Sequence, residues 1–290
     1  MNLLDLRRRL KSINSTQKIT RAMEMVAASK MKKAQDTALA GRPYAVELEK
    51  LIENIAKNSG AIQHPYFLKR EKPRKILFLF FTADRGLCGA FNSNISRYLL
   101  KRELTDGQEK SIVAVGRKGM NFCKHIGENV VAEFEGLSDK PDLLATTPIT
   151  RLAVDGFLNG DFDEVRILYN HFLNTMQQEI TEKILLPLTP PVAKSTEEKR
   201  LAKIEYIFEP SPEKVLNQIL PRYLETIVYQ SLLESNASEQ SARMVAMKSA
   251  SENAGELIDT LTLEMNKERQ ASITTEILEI VGGAEALADG

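Results

Sequence analysis

Tryptophan is absent from this sequence and aromatic residues make up only 6% of it, which removes the material for a rigid aromatic recognition surface. An excess of positive charge is missing too. Lys and Arg number 39 and Asp and Glu 39, so nothing global points to nucleic acid. The two cysteines, Cys88 and Cys123, are too few for a disulfide framework and lack metal-ligand spacing, which suits a reducing compartment and two ordinary half-buried side chains. No apolar run approaches the roughly 18 residues of a membrane span, and "MNLLDLRRRLK" lacks the apolar core of a signal peptide. The expectation is a soluble chain, with peripheral attachment to a membrane left open. At 290 residues it has room for one large domain or two modest ones.

Helix breakers are sparse at both ends. No Gly or Pro precedes Gly41, and the first 57 residues are dense in Ala, Met, Lys, Arg and Gln, so they read as one long helix with "GRPY" as the place for any bend. Leu3, Leu6, Leu10 and Ile13 alternate spacings of three and four. Ile19, Met23 and Val26 resume on a shifted line because polar Gln17 and Thr20 occupy the first, which predicts a coiled-coil seam with a slip. Near the other end no proline follows Pro221, and Met244, Met247, Ser251, Ala254, Ile258, Leu261 and Met265 keep the same alternation. Ile273, Ile277, Ile280, Ala284 and Leu287 restart it on another line. "EPSPEK" supplies the start, with Ser211 as N-cap and Pro212 at the first helical position.

Between these helices, "RKILFLFFT" (Arg74 to Thr82), "SIVAVG" (Ser111 to Gly116) and "EVRILYN" (Glu164 to Asn170) are short apolar runs separated by helical patterns, the alternation of a mainly parallel βαβ layer. "KILLPLTPP" and "AKIEYIFEP" follow with no helical pattern between them and predict an antiparallel pair or extended hairpin closing the layer. The fold class is therefore α/β: a long antiparallel coiled coil of the terminal helices plus a Rossmann-like middle domain. The parts are residues 1–57, 74–210 and 212–287.

Charge pairs the two ends. Residues 1–57 hold 12 Lys and Arg against 6 Asp and Glu, whereas residues 212–290 hold 6 against 13. A basic and an acidic helix, each with coiled-coil spacing, favour one another over themselves. Their lengths do not match: at 1.5 Å per residue they run about 85 Å and about 110 Å. If they leave the middle domain together, Met1 falls opposite a residue near Arg269, and "ERQASITTEILEIVGGAEAL" ends as a lone tip overhanging by about 25 to 30 Å. Its apolar residues Ile273, Ile277, Ile280 and Leu287 have nothing in the chain to cover them, which implies another protein around them.

Catalytic patterns are scarce. "TADRGLCGAFN" (Thr82 to Asn92) follows a strand and precedes a helix, where doubly wound folds bind phosphate, but it matches neither GxGxxG nor the P-loop. A tight turn accounts for it, with Asp84 and Arg85 as alternative inter-subunit contacts. The pair in "GRKGMNF" is equally unspecific. His64, His125 and His171 sit far apart in sequence, so no nucleophile, metal or acid–base set emerges and no cofactor is expected. "LRRRLKS" and "SKMKK" resemble a nucleic-acid helix, yet heptad spacing and an acidic partner explain the same charges.

With these residues in view, the chain resembles the gamma subunit family of F-type ATP synthases over nearly its whole length. "ITTEILEIVGGAEA" carries Ile273, Thr274, Glu276, Glu279, Gly283, Ala284 and Ala286 at that family's C-terminal spacing, and "RRRLKSINSTQKITRAMEMVAASKMKKAQ" and "DRGLCGAFN" stand at the expected places. The resemblance implies a non-catalytic rotor shaft, coupling proton flow through the membrane sector to ATP synthesis or hydrolysis. Its terminal helices would turn inside a hexamer of alternating alpha and beta subunits, while the middle domain sits with the epsilon subunit on the ring of c subunits. It further implies ring contacts at Met23, Lys30, Arg269, Gln270, Thr274 and Glu276, and a c-ring foot at Phe208 and Glu209. The spaced cysteines of chloroplast relatives are absent, so a bacterial protein, peripheral on the cytoplasmic face of the inner membrane, is expected. Two other classes stay open at this stage: a coiled-coil adaptor that never rotates, and an enzyme with a nucleotide in the middle domain.

Overall fold

The computed structural model describes residues 3–58, 64–102, 107–137, 141–188 and 212–288. In chain order the elements are α1 (Leu3–Asn58), a 3-10 turn (Pro65–Phe67), β1 (Lys75–Phe81), α2 (Phe91–Lys101), β2 (Glu109–Val115) and α3 (Arg117–Ile126). Then follow β3 (Asn129–Phe134), α4 (Leu143–Asn159), β4 (Glu164–Phe172), β5 (Gln178–Leu186) and α5 (Pro212–Ala288). Both long helices form where breakers are sparse, α1 running on through Pro43 and α5 through Pro221. Pro212 opens α5 as expected, while Ser211, "AKIEYIFEP", Phe208 and Glu209 lie outside the described residues. Among the described residues no helix is long and apolar enough to cross a membrane.

By contacts the chain divides into two units, residues 28–243 and residues 1–27 with 244–290. In the first, a five-stranded sheet has the order β3-β2-β1-β4-β5, parallel except for the antiparallel β4–β5 pair. Central β1 explains the unbroken run "ILFLFF": Leu77, Leu79 and Phe81 enter one core and Ile76, Phe78 and Phe80 the other, so both faces are covered. The first core is closed by Ile149, Ala153 and Phe157 of α4 and by Leu216, Leu220, Leu224, Val228 and Leu232 of α5, with Ile52 of α1. The second is closed by Ile95 and Leu99 of α2 and Cys123 of α3. Gly119 shows why the second glycine motif exists. A Cβ there would stand 2.6 Å from Thr82 Oγ1, which accepts the Gly119 N–H at 2.8 Å.

The second unit corrects the expected slip. Leu3, Leu6, Leu10, Ile13, Gln17, Thr20 and Ala27 are all buried or half-buried, so one heptad line continues without interruption. Ile19 and Val26, assigned to the shifted line, are 59% and 56% exposed. The line survives its polar members because they find partners. Gln17 Nε2 donates to the Ser251 carbonyl at 3.3 Å, Thr20 Oγ1 donates to Gln17 O at 3.0 Å, and Gly255 leaves room for the amide. On α5 the expected line from Met244 to Met265 is buried or half-buried throughout.

Candidate functional site

Beyond Met265, every residue of α5 whose side chain is described, from Asn266 through Ala284, is exposed. Ile273, Ile277 and Ile280 are 44%, 54% and 72% exposed, and Leu278 and Val281 join them, two apolar residues the spacing reading missed because it followed one line of the helix. The side chain of Leu287 lies outside the described residues. Thr274 and Thr275 bond back to the carbonyls of Gln270 and Ala271, so helical geometry persists along this bare stretch.

Arg269, Gln270, Thr274 and Glu276 all stand exposed on that stretch. Met23 is half-buried in α1, in the same unit but at a different level: Gln17 already lies across from Ser251, and Met23 is further along α1, away from Arg269. Lys30 is exposed on the part of α1 that belongs to the sheet unit. The expected ring contacts therefore form one cluster at the tip and two separate positions on α1.

The turn at Thr82 to Asn92 is closed upon itself. The Asp84 carboxylate accepts the backbone N–H of Arg117 at 3.1 Å and of Gly136 at 3.0 Å, so the anionic group at the start of α3 is the protein's own. Asn92 Oδ1 accepts the Ala83 N–H at 2.9 Å, and Leu87 takes a left-handed φ of 61°. Burial pushes the Cys88 thiol up, an effect that neighbouring Arg243 partly offsets, and burial together with Glu128 pushes Cys123 up to about 11. Neither side chain has the lowered pKa of a reactive thiol.

His171 is not isolated as sequence spacing suggested. Its Nδ1 lies 2.6 Å from Glu234 Oε2, a partner 63 residues away. Among the described residues no group of His, Cys, Asp and Glu could hold a metal.

A family-wide sequence profile described as ATP synthase matches residues 2–287. The chain is similar to the ATP synthase gamma chain of Pelotomaculum thermopropionicum, 45% identical over 286 residues and covering 99% of both chains. That of Dehalococcoides mccartyi is 48% identical over 289 residues, again covering 99% of both. Among solved structures, the central stalk and c-ring of Tetrahymena thermophila mitochondrial ATP synthase includes a chain 28% identical, with a TM-score of 0.61, covering 80% of this chain and 99% of that one. A chain of Euglena gracilis mitochondrial ATP synthase shares the fold at 18% identity, with a TM-score of 0.68 and coverage of 98% and 94%. With the profile spanning nearly all of its length and such relatives aligned end to end, the chain belongs to the ATP synthase gamma chain family.

Proposed function

We propose that the bare tip of α5 turns inside a hexamer of alternating alpha and beta subunits, and that the sheet unit bears on the epsilon subunit and the c-subunit ring. As a gamma chain the protein is a non-catalytic subunit of the central stalk, coupling ion flow to ATP synthesis and hydrolysis. The observation that carries the finer reading is the row of exposed Ile273, Ile277, Leu278, Ile280 and Val281, on a stretch of α5 that meets no partner among the described residues. Such a rod is asymmetric, so it presents a different face to each of three catalytic sites. Each orientation favours a different open or closed state, and rotation becomes a cyclic shift of nucleotide affinity.

In this scheme residues 1–57 and 212–287 are the shaft and 74–210 the bearing domain. Arg269, Gln270, Thr274 and Glu276 engage loops of the ring from the tip, Met23 and Lys30 from α1, and Phe208 and Glu209 form the foot on the c-ring. The chain is peripheral on the cytoplasmic face of a bacterial inner membrane.

Affinity purification tests the assignment: the tagged chain should bring down an ATP-hydrolysing ring, and the isolated chain should bind no ATP by calorimetry. Emergence alone, or with tight nucleotide binding, overturns it. Within the complex, Arg269→Glu should uncouple hydrolysis from proton pumping, whereas Lys124→Glu on the sheet unit should not; equal effects remove Arg269 from the ring contacts.

A further inference from the structure

Where α5 passes the end of the sheet its character changes abruptly. From Leu216 to Leu233 it buries leucine and valine in the core, but Ser235, Asn236, Ser238, Glu239, Gln240 and Ser241 are equally buried and polar. Burying polar groups is costly unless each is matched, and a helix that only needed anchoring would continue with leucine.

Two of the six reach across to the sheet's hairpin, Glu239 and Gln240 bond within the helix, and Asn236 Oδ1 finds no partner among the described residues. Ser238 Oγ donates to the Asn170 carbonyl at 2.9 Å and Ser241 Oγ to the Thr175 carbonyl at 2.7 Å, while Gln178 Nε2 donates to Ser241 Oγ at 3.4 Å. Glu234, on the same helical face, meets His171. On another side Arg243 Nη2 donates to the Gly86 carbonyl at 3.3 Å, and its Nη1 is held by Glu239 at 2.8 Å. Thus the β4–β5 hairpin and the turn after β1 both grip one short length of α5.

From this arrangement we infer that the polar band Glu234–Arg243 is a latch that fixes the rotational setting of the sheet on the helix it carries. The inference rests on the rotor reading above. Apolar contact is non-directional and lets one surface slide on another, whereas hydrogen bonds weaken steeply when their angles change. A subunit that carries torque between its sheet unit and its shaft needs the second kind of contact. Ser238, Ser241 and Arg243 are positioning residues in this sense: they touch no substrate, and they set the angle at which force passes.

The test uses the complete synthase reconstituted in vesicles, reading ATP hydrolysis and ATP-driven proton pumping together. A parent enzyme that hydrolyses without pumping, or fails to assemble around this chain, overturns the rotor reading and the latch with it. In a coupled parent background, Ser238→Ala with Ser241→Ala removes two donors, and Arg243→Ala, at a separate contact, covers the case in which the serine pair does not fold. The expected result for either variant is hydrolysis near the parent rate with slip between hydrolysis and pumping raised about tenfold, and Arg243→Lys restoring part of the coupling. A pumping-to-hydrolysis ratio equal to the parent's in the variants that assemble overturns the latch and leaves the rotor reading standing. Loss of hydrolysis and pumping in equal proportion also overturns it, because that is the signature of a purely structural role.

Discussion

One helix carries the two most unusual surfaces of this molecule, and they are inverted with respect to each other. Between Ser231 and Ser241, α5 is buried and largely polar; between Ile273 and Val281 it is bare and rich in branched apolar residues. Each stretch breaks the usual correlation of burial with hydrophobicity. The buried stretch has met its partner: the Ser238 and Ser241 hydroxyls are spent on carbonyls of the β4–β5 hairpin and the Glu234 carboxylate on His171. The bare stretch meets none among the described residues, as its proposed contact with another subunit requires. Exposure alone therefore distinguishes a finished interface from one awaiting assembly.

Making the tip polar is the strongest way to break this inversion. Ile277→Asp with Ile280→Asp should weaken capture of the catalytic ring by roughly 100-fold, on the scale of two isoleucines losing their burial. The isolated chain should keep its melting temperature, because both side chains are already in water, and an unchanged capture yield would remove the tip from the interface. Next in size is a change in the apolar half of the buried stretch. Leu224→Ala opens a cavity in the sheet unit's core and should cost about 3 kcal/mol in denaturant unfolding; a loss below about 0.5 kcal/mol would mean that α5 is not part of that core.

Gln17 asks whether polar burial sets register elsewhere in the molecule. Gln17→Leu should raise thermal stability by about 1 kcal/mol while permitting other helix registers, visible as added cross-links between cysteines placed off the native pairing. A stable variant with one unchanged register would show the amide to be dispensable.

The smallest effect concerns acid. Burial alone would raise the Glu182 carboxyl, but hydrogen bonds from Arg166 and Arg102 outweigh it and hold the group below its ordinary range. Its folded-state value is thus lower than its unfolded one, so the stabilisation is present above the ordinary carboxylate range and is lost as pH falls through the lowered value. Glu182→Gln should flatten the fall in melting temperature between about pH 5 and pH 3. A parallel displacement of the two curves would place the acid sensitivity in another group.

Much of the fold was legible because its signals are local. Scarce proline and sustained heptad spacing announced α1 and α5, and a doubly buried strand such as β1 reads as an unbroken apolar run. Edge strands were harder. Half-exposed β3, "NVVAEF", is too short and too mixed to stand out, and β5 pairs with β4 while the expected partner segment lies outside the described residues. The overhang was legible from helix lengths, but the seam through Gln17 and Thr20 was not, because a polar residue on a heptad line reads as a break until its partner is seen. The polar band left one faint trace, the lapse of apolar spacing in "ESNASEQS".

The sequence by itself determined the long helices, their opposite charges, the apolar tip and the parallel α/β layer, since periodicity and composition act within a few residues of each other. Tertiary structure alone decided which polar residues meet. Asp84 is held by the N–H groups of Arg117 and Gly136, Glu234 meets His171, and Ser238 and Ser241 reach the β4–β5 hairpin across more than 60 residues of chain. A hydrogen bond depends on where two atoms finally stand, and that position is fixed only when the whole sheet has packed.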